Sequence, residues 1–116
     1  MIHVPGRAGR AHVLRLTPDM DVRPALSEWA SANGIHAASI VSAVGSLSQA
    51  MVRYAGRQEG TLINGDLEIC TLSGTLSMHG CHLHITVADA DGRVRATFER
   101  LLETILSTLA ARGELS

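Results

Sequence analysis

The chain has 116 residues, with ten arginine or lysine residues, eleven acidic residues and a formal net charge of −1. That length fits one domain spanning 1–116, which would bury roughly two thirds of its unfolded surface. Near-neutral charge gives no global attraction to phosphate, and no apolar run approaches the ~18 residues of a membrane span.

Several further classes drop out. The hydrophobic fraction of 46% is that of a folded chain rather than a disordered one. Trp29, Tyr54 and Phe98 are the only aromatics, so aliphatic side chains must fill the core. The start, Met1 to Arg7, is polar and broken by Pro5 and Gly6, unlike a signal peptide. The expectation is a cytoplasmic protein in which Cys70 and Cys81 are free thiols.

Residues 1–10 read as a loose lead-in. Residues 12–17 have the composition of a strand that Pro18 ends. Asp19 and Asp21 are candidate helix caps, and Pro24 suits a first turn. Leu26, Trp29, Ala30 and Asn33 follow at helical spacing, with Gly34 suited to the position after the helix. A helix is expected over 21–33. Residues 35–44 are apolar on both faces, the pattern of a strand covered on both sides. Gly45-Ser46 interrupts, and a strand resumes over 47–54. Residues 55–60 read as a loop.

Asn64-Gly65 is the strongest turn signal in the chain and predicts a hairpin joining 61–63 to 66–72. Ser73-Gly74 is a candidate bend, with 75–78 extending the arm. Residues 81–88 form another strand, rich in β-branched side chains, and Asp89-Ala90-Asp91-Gly92 is a plain turn. Its acidic spacing is too short for a calcium loop, and no glutamate stands at the required offset. Phe98, Leu101, Leu102, Ile105, Leu106 and Leu109 recur at three- and four-residue steps, the pattern of an amphipathic C-terminal helix. The expected class is α+β, a mixed and mostly antiparallel sheet packed with two helices.

The residues that bear chemistry are few. His82 and His84 lie two apart on a strand, so both leave the same face while Leu83, Ile85 and Val87 face the core. Two imidazoles so placed reach one divalent ion, zinc for example, at ~2.0–2.1 Å. His79 is near enough to be a third ligand if the backbone folds back at Gly80. The same pair also reads as two polar residues on a solvated sheet face. Glu68 is a lone carboxylate in an apolar strand, either an orienter of those imidazoles or an outward residue paired with an arginine. Arg7, Arg10 and Arg15, with Arg53 and Arg57, form two sparse basic groups open to phosphate or to plain solvation. No nucleophile triad and no phosphate-cradling glycine loop is present. Cys70 and Cys81 read as small buried hydrophobes.

Five segments in order resemble the plant and prokaryote conserved (PPC) domain family. They are 14–16, 37–47 (Ala-Ala-Ser-Ile-Val-Ser-Ala-Val-Gly-Ser-Leu), 67–75 (Leu-Glu-Ile-Cys-Thr-Leu-Ser-Gly-Thr), 82–89 (His-Leu-His-Ile-Thr-Val-Ala-Asp) and 91–94 (Asp-Gly-Arg-Val). The resemblance covers about 12–94. It implies a compact α/β domain, a homotrimer and a binding module for DNA without catalysis; the alternative is a metal-binding protein or metal-dependent small-molecule enzyme that uses the His82/His84 strand. Other prokaryotic members resemble metal proteins with gathered histidines. His82 and His84 match the family's His-x-His strand, and Glu68 matches its Glu-Ile-Leu strand. One departure stands out. Where the family continues into Gly-Gly-His and a further strand, Val94 is followed here by Arg-Ala-Thr-Phe-Glu. The family's third histidine is absent, so His79, His36 or a neighbouring subunit would have to replace it. The final sheet strand is also expected to be missing, leaving an edge for the C-terminal helix to cover.

Overall fold

The computed structural model describes residues 1–96 and 100–105. One helix and six strands follow in order: α1 (Val22–Ala32), β1 (Ala38–Ser39), β2 (Ser46–Arg53), β3 (Thr61–Ser77), β4 (Gly80–Ala88), β5 (Val94–Ala96) and β6 (Arg100–Ile105). The sheet order is β5-β4-β3-β2-β6, with β1 on β3, and every pairing is antiparallel. The α+β expectation stands. A mixed sheet and a second helix are not found among the described residues.

The helix falls within a residue of its expected bounds. Asp21 precedes it in extended conformation, and Gly34 follows Asn33 at φ 63°, the left-handed position that ends helices at little cost when it is glycine. Val22, Leu26 and Ala30 are its buried stripe. In β4, Leu83, Ile85 and Val87 are 1%, 2% and 0% exposed, so strict alternation separates a core face from an outer face. With Leu47, Ala50 and Val52 of β2 and Leu67, Ile69, Leu72 and Leu76 of β3, they form the core under α1.

Four expectations fail, each for a physical reason. Residues 12–17 are in no strand. Leu16 is buried and Leu14 packs on the core, so the alternation is met by packing alone, with no ladder beside it. Of 35–44, only Ala38–Ser39 pairs. Val41 is 93% exposed, so this segment is not covered on both sides. Asn64-Gly65 makes no hairpin, because β3 runs straight through it. Leu47 pairs with Leu67 and Gln49 with Asn64, which places Gly65 and Asp66 against the single residue Ser48. Gly65, at φ 123°, therefore serves a β-bulge, the other structure that favours a positive-φ glycine.

The fourth failure is at the C-terminus. At the centre of the expected helix, Arg100–Ile105 is strand β6, paired with β2 from Gln49↔Ile105 to Arg53↔Arg100. The edge strand expected to be missing is present. Without it, β2 would leave a row of unpaired N–H and C=O groups, and satisfying them outweighs the helical spacing of the leucines. The remainder of the expected helix, 97–99 and 106–116, lies outside the described residues.

The sheet has to curl. β5 pairs with β4 and β6 pairs with β2, at opposite ends of the strand order, yet Ala96 and Arg100 are four residues apart. Four residues reach about 14 Å at most, whereas four strand spacings in a flat sheet take about 19 Å. β4 and β6 do come into contact. Tyr54, just beyond β2, meets Arg95 of β5. The Tyr54 hydroxyl, as a long hydrogen-bonding neighbour and then through its charge, raises the Arg95 pKa above its ordinary value.

Candidate functional site

The outer face of the β3–β4 ribbon carries the histidine pair. β4 presents His82 and His84 outward because Leu83 and Ile85 point inward. The Nε2 atoms of the two imidazoles are 3.0 Å apart, with ring centroids at 4.9 Å. His82 is exposed and His84 half-buried. Two nitrogens at that separation, each 2.0–2.1 Å from one ion, subtend about 94°. A tetrahedral angle needs about 3.3 Å between them, a shift of a few tenths of an ångström. Without an ion, one ring donates an N–H to the other.

The register defines what surrounds the pair. Thr75 lies opposite His82 and Ser73 opposite His84, so the neighbours on the face are short hydroxyls. Between them, Gly74 pairs with Leu83. A Cβ on Gly74 would collide with the His82 carbonyl oxygen and lie 2.9 Å from the Leu83 Cα. The absence of a side chain therefore lets the two backbones close and sets the height of His82.

The other sequence-predicted residues are placed elsewhere. His79 is exposed in the two-residue turn Met78-His79, its backbone N–H donating to Ser77 Oγ at 3.1 Å. Glu68 is on the neighbouring strand, as expected, but pairs with Ala88, four residues or about 13 Å along β4 from His84. No group of three His, Cys, Asp or Glu residues that could hold a metal forms among the described residues. A metal thus finds two fitting donors here and no third. Ser73, Thr75 and Gly74 were missed by sequence reasoning, because the register that pairs them with the histidines is set by the turn Met78-His79, and sequence reading did not identify a hairpin there. The bulge between Ile69 and Thr71 falls at Cys70, which is exposed, against the expectation of burial. Cys81 is half-buried, its Sγ 2.8 Å from Ser27 Oγ of α1.

The arginines are dispersed. Arg7 and Arg10 line a groove of about 870 Å³ whose walls include Leu14, Leu26, Trp29 and Ile40. His12 sits edge-on to Trp29 there, centroids 5.0 Å apart. Arg15 is exposed in the 12–17 segment that follows the lead-in. Arg53 ends β2 and donates to the Arg57 carbonyl at 3.5 Å.

The profile of the Plants and Prokaryotes Conserved (PCC) domain matches residues 3–102. The chain belongs to this family. The chain is 44% identical over 90 residues to the bifunctional protein GlmU of Synechococcus sp. strain JA-3-3Ab, covering 78% of this chain and 14% of that protein. The GlmU of strain JA-2-3B'a(2-13) matches at 42% over the same shares. The chain thus spans about one seventh of the length of these curated relatives. A hypothetical protein from Salmonella is similar at 32% identity and TM-score 0.83, over 91% of this chain and 77% of that one. A metal-containing protein from Archaeoglobus fulgidus is similar at 29% and 0.76, over 93% and 80%. A candidate DNA-binding protein from Bacteroides thetaiotaomicron shares the fold at 21% and 0.67, over 84% and 77%. No helix among the described residues is long and apolar enough to cross a membrane.

Proposed function

We propose that this PCC-domain chain is a metal-binding module, with His82 and His84 as ligands and zinc as the fitting ion. The observation that supports it is the 3.0 Å separation of the two Nε2 atoms on an accessible face. Neutral imidazole is a preferred zinc donor, and a structural relative is described as metal-containing. Bound there, zinc would supply a Lewis-acidic centre. The chain's own contribution is the close approach of β3 and β4 at Gly74, which sets the height of His82, with Ser73 and Thr75 in register opposite the two histidines. His79 is a further ligand only if its turn folds back. The test is zinc content of tag-free protein beside His82→Ala and His84→Ala. Retention by the wild type alone supports the reading, and equal content in all three removes it.

A second reading is DNA binding through Arg7, Arg10, Arg15 and Arg53. It is favoured by the exposure of the first three in the stretch before α1 and by the description of the Bacteroides protein. Phosphate contacts make affinity strongly salt-dependent. A gel-shift titration at low and moderate salt tests it, and no shift at low salt removes it. Light scattering tests the trimer that the family resemblance implies, and a monomer counts against it.

A further inference from the structure

We infer that the metal site is completed by a second copy of the chain, with His82 and His84 of both copies forming a four-nitrogen site. This rests on the metal reading above and goes beyond it, to the partner. The geometry carries it in three steps. First, one chain offers two convergent nitrogens, 3.0 Å apart, and no third His, Cys, Asp or Glu joins them among the described residues. A structural zinc site takes four protein ligands. Second, two imidazoles plus the same two related by a twofold axis make that number, and a twofold contact sets a surface patch against its own copy. Third, the surroundings allow close approach. The side chains opposite the histidines are Thr75 and Ser73, and Thr86 follows in the same row of β4. These are short and uncharged, so two copies can approach at the histidine pair, while Glu68, opposite Ala88, stands about 13 Å further along the strand.

The experiment uses the full, tag-free chain stripped with EDTA. Zinc chloride is titrated in, bound zinc is measured after desalting, and particle mass is followed by sedimentation velocity. The metal-free mass is the baseline, whatever the assembly at that point. The expected result is one zinc per two chains, a doubling of mass, and loss of both in His82→Ala and in His84→Ala. Cobalt(II) in place of zinc is expected to give the intense visible bands of a tetrahedral ion. One zinc per chain with unchanged mass overturns the inference and leaves the metal reading standing. No bound zinc overturns both. A mass increase that persists in the two variants overturns the inference, because association then proceeds without the histidines.

Discussion

At the scale of the residue, the site depends on one position with no side chain. Gly74→Ala drives a methyl into the His82 carbonyl at φ 141°, a conformation that alanine also resists. The expected loss is about 2–3 kcal/mol in urea unfolding, together with weaker zinc retention. Leu83→Ala, beneath the same spot and 1% exposed, is expected to cost about 2–5 kcal/mol through its cavity. His82→Ala removes an exposed ring, so without zinc it should unfold within about 0.5 kcal/mol of the wild type. Glu68→Gln should leave zinc affinity within a factor of about two, since about 13 Å separates it from the pair. These residues differ in how far sequence alone reveals them. His82 and His84 are legible because period-two alternation is local. The distance of Glu68 is not, because it depends on which strand residues face one another, and a bulge shifts that count.

At the scale of the element, α1, β2 and β4 were legible to within a residue or two, since capping signals and alternation act over short stretches. Asn64-Gly65 was legible as a positive-φ site but not as a bulge. The same dipeptide satisfies both, and pairing with β2 makes the choice. Gly65→Ala is expected to cost about 1 kcal/mol, measured by denaturant midpoint, with β3 still intact by amide exchange. β6 was misread because leucine spacing at 101–105 answers to a helix until β2 supplies a ladder. A chain ended at Ala96 should lose cooperative unfolding and aggregate through the bared edge of β2, as size-exclusion chromatography would reveal. Retention of a sharp transition would show that β6 is dispensable.

At the scale of the whole molecule, the sequence carried the class and the family, while the curl of the sheet emerges only from distant pairings. Metal binding adds a global consequence. Zinc at a hundredfold over its dissociation constant stabilises the folded state by about 2.7 kcal/mol, a rise in Tm on the order of 10 °C for a domain of this size. Scanning calorimetry with zinc and with EDTA should show that difference in the wild type and not in His84→Ala.

The ladder between β2 and β6 also has a history in time. Residues 54–99 must be made after β2 before β6 exists to pair with it. At ordinary synthesis rates that interval is about two to nine seconds. Throughout it, Ser46 to Arg53 shows one open side to the cell. The nascent chain is therefore most exposed to wrong partners, and most in need of a chaperone, while its sheet is nearly complete.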